Sequence, residues 1–178
     1  MSRTEGRPRL AADPIDTARA NWAAHGWGDA VDGMGVVTSI MRVQQIALAE
    51  VERVLRPHGL TFARYEVLML LHFSRSGALP VGKVGERLQV HPASVTNAVG
   101  RLESDGLVTR SPHPADGRSV LAAITTAGRE LAVTATEELN DLVFGAWPLD
   151  QVASTELYDH LKQVRGAFGD FVEHDTAE

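Results

Sequence analysis

KVGERLQVHPASVTNAVGRLESDGLVTRSPHPADGRSVLAA, Lys83 to Ala123, is the stretch whose reading decides the fold. Val84 and Leu88 stand four apart and give one apolar face to a short helix opening near Lys83. Gln89, Val90 and His91 break that spacing. Pro92 then suits the first position of a new helix, where its missing N–H leaves nothing unpaired. In this second helix Val95, Val99 and Leu102 form an inward stripe, and Ser94, Thr96, Asn97 and Arg101 fall opposite. Gly106 ends it, where a left-handed residue is wanted. Strands are predicted at Leu107–Ser111 and Ser119–Ile124. Between them Pro112, Pro114, Asp116 and Gly117 make a turn-rich loop closing on Arg118.

A helix with an apolar back and a front of small hydrogen-bonding residues plus one Arg can lie in a DNA major groove. A hairpin tipped by Arg beside it can reach a narrow minor groove, where the potential is most negative. Taken singly, Ser94, Thr96 and Asn97 are an ordinary solvated helix face. Four such residues on the second helix of a helix-turn-helix, followed by a wing, favour DNA contact. Thr96, Asn97 and Arg101 are expected at base edges and Ser94 nearer phosphate, with Lys83, Arg87 and Arg110 on the backbone.

HPASVTNAVGRLESDGLVTR (His91–Arg110) and PHPADGRSVLAAITTAGREL (Pro112–Leu131) resemble the winged-helix core of the MarR family of bacterial regulators. This chain has Gly117 where the middle Arg of that family's wing is common, and Ile124-Thr125 in place of Leu-Thr. The resemblance spans roughly residues 34 to 172 by element order and is most specific from Lys83 to Leu131. It implies a homodimer with interdigitating N- and C-terminal helices, and an acid, Asp116, orienting Arg118 toward the minor groove. It also implies a ligand seated between the dimerisation helices and the winged-helix part. An aromatic wall there, with Arg64 and Glu66 nearby, suits a small aromatic or carboxylated effector; the competing reading is a packing role for Trp22 and a solvated or ion-paired one for Glu66. By motif position Trp22, Glu66 and Arg110 resemble residues of a urate-responsive subgroup, whose second Arg falls here at Ala98. Trp22, Arg64 and Glu66 are therefore the expected effector residues.

At 178 residues one domain with a real core is expected. The chain has no cysteine, so neither a disulfide nor a Cys-bound zinc is available. Its polar start, MSRTEGRPRL, predicts no signal peptide, and no apolar run reaches membrane-spanning length; a cytoplasmic location is the expectation. The net charge of −6 is unevenly spread. Residues 1–80 and 81–118 are each net +1, and 119–178 are net −8. The reading unit is barely basic, so a monomer would bind DNA weakly and a dimer is close to a requirement.

Around the core, residues 1–12 are expected as a disordered tail and 13–60 as N-terminal dimerisation helices. The winged helix-turn-helix is expected over 61–125, with 126–178 as C-terminal dimerisation helices. Asp13 caps a first helix with Ala18 and Trp22 inward, interrupted by glycines at 26, 28, 33 and 35. Val36–Leu55 is a long helix with Ile40, Val43, Ala47, Val51 and Val54 in one stripe. Thr61 caps the next, in which Tyr65, Leu68, Met69 and His72 share a face. After the wing Thr125 caps a helix reaching about Gly145, and Asp150 caps a last one. There Leu157, Leu161, Val164, Phe168 and Val172 make an unbroken stripe. The fold class is mainly α with a small β-wing.

No catalytic constellation is found. Seven histidines make no metal spacing, neither GxSxG nor a phosphate loop is present, and Glu137-Glu138 point apart on a helix. His72 is expected as a satisfied core histidine. An enzyme is not expected, and neither a cofactor nor a metal. The reading is a sequence-specific regulator on a pseudo-palindromic operator, a repressor relieved by a ligand. A winged-helix module for protein–protein contact, without DNA reading, is the rival that the weak local charge favours.

Overall fold

The computed structural model describes residues 10–113 and 116–172, without the side chains of 116–118. The expected tail lies mostly outside these residues. Seven helices and three strands follow in the order α1 (Pro14–Ala24), α2 (Val31–Leu55), α3 (Phe62–Phe73), β1 (Ala78–Pro80), α4 (Val81–Leu88), α5 (Pro92–Ser104), β2 (Val108–His113), β3 (Asp116–Ile124), α6 (Thr126–Leu139) and α7 (Gln151–Ala167).

The caps are local chemistry. Asp13, Thr61, Thr125 and Asp150 each accept a backbone N–H from the first turn of the helix that follows, at 2.8, 3.4, 3.0 and 2.9 Å. The glycines, by contrast, do not interrupt the second helix. It begins at Val31 and runs through Gly33 and Gly35, five residues before the expected start. At Gly35 the reason is close approach: a Cβ there would stand 3.0 Å from the Arg19 side chain of α1. Arg19 Nη2 reaches Asp32 at 2.7 Å over the same spot.

The core gathers one face of each central element. α2 contributes only its C-terminal half, Val51, Val54 and Leu55. α3 is buried more broadly than its expected stripe, with Val67 and Leu71 joining Tyr65 and Leu68. Val84, Val95, Val99, Leu102 and Val108 come from the reading unit, and Ala132, Ala135 and Leu139 from α6. The Tyr65 hydroxyl finds a partner 3.0 Å away in Thr136 Oγ1.

The strands form one antiparallel sheet in the order β1-β3-β2. Ala78 faces Ala123, and Val108 faces Ile124, so the wing is anchored on the chain just ahead of α4. Both wing strands run longer than expected, because ladder pairing continues to His113 and Asp116 past an irregularity at Pro112/His113. α6 passes into a single π turn, Asn140–Phe144, which completes the segment expected to reach Gly145.

The last stripe is shorter than its periodicity implied. α7 stops at Ala167, and Gly169, at φ +71°, turns the chain back, so Phe168 and Val172 lie outside the helix. None of α7 is buried, and Leu157, Leu161 and Val164 stand beside the exposed Val36, Ile40 and Val43 of α2. Together with α1 they wall an apolar cavity of about 820 Å³.

Candidate nucleic-acid interface

Two helices and a hairpin build the reading surface. Val84 of α4 and Val95 of α5 are both buried, and α4 comes close enough that a Cβ at Gly85 would meet Val95 Cγ2 at 3.3 Å. Between the helices Gln89 takes a left-handed conformation, φ +52°. His91 Nδ1 accepts the Ala93 N–H at 3.2 Å, and Pro92 stands at the first helical position. Val95, Val99 and Leu102 are at most 1% exposed, which fixes the rotation of α5 about its axis. Ser94, Thr96, Asn97 and Arg101 are consequently all on the outside.

The end of α5 is tied to the wing and to α6. Gly106, at φ +72°, lets Leu107 N–H return to the Leu102 carbonyl at 2.9 Å. The Thr125 hydroxyl donates to the Gly106 carbonyl at 2.9 Å. Gly128, where a capping box would carry Glu, is sterically obligatory: its Cβ would lie 2.1 Å from the Leu107 carbonyl oxygen.

The charges on this surface are unequal. Lys83 pairs with Glu86 at 2.7 Å, an exposed i,i+3 contact that water screens. Arg110 is engaged by Glu103 through Nε at 2.7 Å and Nη2 at 2.5 Å, joining β2 to α5. That hydrogen bond holds the Glu103 carboxyl below its ordinary range and the Arg110 guanidinium above its own. Arg87, Asn97 and Arg101 have no side-chain partner among the described residues. Thr96 Oγ1 donates to the Pro92 carbonyl at 3.0 Å, leaving its lone pairs outward. The Arg118 side chain, expected at the wing tip, lies outside the described residues.

Among the described residues no hydrogen bond, ion pair or ring contact joins Trp22, Arg64 and Glu66. Trp22 lies on α1, whose main contacts are with α2 and the turn after α1. Its ring meets Trp27 edge-on at 5.1 Å. Arg64 turns to Asp105 at the end of α5, 3.3 Å away. Glu66 is half-buried, and burial pushes its carboxyl pKa up. His72 departs from the satisfied core residue expected of it. Its Nδ1 is buried without a hydrogen-bond partner, and its ring meets Phe73 edge-on at 5.5 Å. Sequence reasoning missed Glu103 and Asp105, the acids that hold Arg110 and Arg64. Their spacing of 7 and 41 residues from those partners carries no local signal.

No group of three or more His, Asp or Glu among the described residues could hold a metal, and no described helix is long and apolar enough to cross a membrane. Fold and surface together define a winged helix-turn-helix protein. The MarR family model matches residues 60–120. Sco5413, a MarR family transcriptional regulator from Streptomyces coelicolor, is 52% identical, covers 80% of this chain and 99% of its own, and superposes with a TM-score of 0.74. A MarR variant from E. coli complexed with operator DNA is 25% identical over 76% of this chain and 96% of its own, with a TM-score of 0.68. An uncharacterized HTH-type transcriptional regulator of Mycobacterium leprae is 38% identical over 66 residues, 37% of this chain. The chain spans about half the length of such curated relatives, 46% in that case. It belongs to the MarR family.

Proposed function

We propose that this protein is a homodimeric, sequence-specific DNA-binding transcription regulator that acts as a repressor and is released from its operator by a small ligand. The observation that carries this reading is the outward face of α5. Ser94, Thr96, Asn97 and Arg101 project from a helix whose rotation is fixed by three buried residues. Asn97 and Arg101 are unengaged and suit adenine and guanine edges respectively. Lys83, Arg87 and Arg110 flank the helix as phosphate contacts, and the wing supplies Arg118. The operator bound by E. coli MarR is a precedent for this use of the fold.

We assign dimerisation to residues 13–60 and 126–178 and reading to 61–125, a division that the exposed apolar rows of α2 and α7 support. The protein–protein module is not favoured, because it gives no reason for an unengaged Asn and Arg on one helix face. The regulator works in the cytoplasm without enzymatic activity, cofactor or metal. The effector is a small aromatic or carboxylated compound near Trp22, Arg64 and Glu66. The test is a gel shift with DNA from immediately upstream of the gene, with and without competitor. A band that survives unrelated competitor supports the reading, and equal loss to any DNA overturns it.

A further inference from the structure

α7 carries two different faces. Leu157, Leu161 and Val164 make its apolar row, whereas Tyr158, Lys162 and Arg165, at i, i+4 and i+7, make a polar row about a quarter turn away. Residues 119–178 hold three basic side chains, Arg129, Lys162 and Arg165, and two of them share that polar row. With Arg87, Leu88 and Gln89 at the end of α4 they line a cleft of about 350 Å³, in which Asp170 is the one carboxylate.

The end of α7 is fastened at this cleft. Beyond Ala167 the chain turns back, with Gly169 N–H on the Gly166 carbonyl at 2.9 Å and Asp170 N–H on the Arg165 carbonyl at 3.0 Å. The side-chain amide of Gln89, launched from its left-handed position between α4 and α5, donates to the Asp170 carbonyl at 2.7 Å. The Phe171 ring lies 5.5 Å from the Arg165 guanidinium, and the Asp170 carboxylate stands 3.6 Å from Nη1. Arg165 is thereby oriented while its side chain stays half exposed.

We propose that Lys162 and Arg165 of α7 are DNA-backbone contacts, extending the phosphate-binding edge that Arg87 begins on α4. This assignment rests on the DNA-binding reading above. In a helix-turn-helix the first helix crosses the backbone and the second enters the groove by its N-terminal residues. α4 and α5 hold those places here, so the turn at Gln89 lies where the chain passes from backbone to groove. Arg87 stands two residues before that turn, and the cleft sets Lys162 and Arg165 beside it. Residues 81–118 are only net +1, and Lys83 and Arg110 are already paired with Glu86 and Glu103. Two cations brought from α7 supply charge that the reading unit lacks. Because the backbone is alike in every sequence, these contacts add affinity and fix register without choosing bases.

The test titrates the operator and an unrelated duplex by fluorescence anisotropy over a range of salt, with wild type and with Lys162→Gln/Arg165→Gln. Between about 50 and about 200 mM salt, wild type is expected to lose about tenfold more affinity than the double variant on both duplexes, two phosphate contacts being about 1.8 units of salt slope. Lys162→Gln alone lowers the slope by about 0.9. Arg129→Gln removes an equal charge outside the cleft and leaves the slope as in wild type. Gln89→Gly keeps the left-handed turn and every charge but cuts the tie to α7, and it moves the slope toward that of the double variant. Operator binding with equal slopes for wild type and double variant, or an Arg129→Gln slope lowered as much as that of Lys162→Gln, overturns the assignment and leaves the DNA reading standing. A free anion offers the same phosphate oxygens. If inorganic phosphate raises the melting temperature of wild type and not of the double variant while their slopes are equal, the cleft is an anion seat and the assignment is overturned. If neither protein binds either duplex, both readings fall.

Discussion

Asn97 and Arg101 are unengaged on a helix whose far side is locked, so the face they project from is settled before DNA arrives. Asn97→Ala and Arg101→Ala should each lose about 1–3 kcal/mol of discrimination at one base position. Competition titrations against operators mutated at single positions check this; unchanged preference would remove these residues from the reading role. Glu66 makes a different prediction. Burial raises its carboxyl pKa, so the folded chain holds that proton to higher pH than the unfolded chain does. The stability linked to Glu66 is therefore full below the ordinary glutamate pKa and declines as pH rises through the folded value. Glu66→Gln should melt higher than wild type at neutral pH, and the two curves should converge in acid. The outward residues of α5 were legible because a 3.6-residue period assigns every side chain once three are known to be buried. The Glu103–Arg110 pair was not, because it depends on how a strand passes a helix.

The elements themselves were mostly readable where a cap or a breaker is a local choice. Asp13, Thr61, Thr125 and Asp150 do what their side chains do in any short peptide. Glycine was the poor guide. Gly33 and Gly35 looked like breakers, yet the helix runs through them, and at Gly35 packing against α1 wants the missing side chain. Gly128, where a capping box would want Glu, is the point where α6 meets the carbonyl of Leu107. Gly128→Ala must displace backbone rather than a flexible side chain. It should destabilise the fold by about 1–3 kcal/mol or more, as overpacking does. Urea unfolding measures it, and a midpoint equal to wild type would contradict the packing described. α7 erred in the other direction: hydrophobic spacing continued past Ala167 after the helix had ended, since spacing alone does not register a left-handed turn at Gly169.

At the scale of the molecule, the mainly α fold with its β-wing followed from element order. What the apolar rows pack against did not, because a stripe shows that a face is apolar and not which surface covers it. α2 supplies core residues at one end and at the other exposes Val36, Ile40 and Met41 by 55%, 37% and 61%. Val36 and Ile40, with Leu157, Leu161 and Val164 of α7, form one surface suited to a second copy. Ile40→Asp combined with Leu161→Asp should leave helix content intact, shift sedimentation to the monomer and abolish operator binding, since two half-sites must be read together. A monomeric double variant that still bound the operator with wild-type affinity would sink the dimer requirement.

The 25 residues of α2 have a consequence for how release is achieved. The helix is a rod about 37 Å long, gripped by the interface at one end and by the head's own core at the other. Such a rod is a lever. A tilt of about 10° at the gripped interface swings the far end through about 6 Å, against a groove repeat of about 34 Å. The head can therefore stay rigid, its α5 face untouched, and still arrive at DNA out of phase with its twin. On the release proposed above, a change of angle between two intact parts would suffice, and neither need melt.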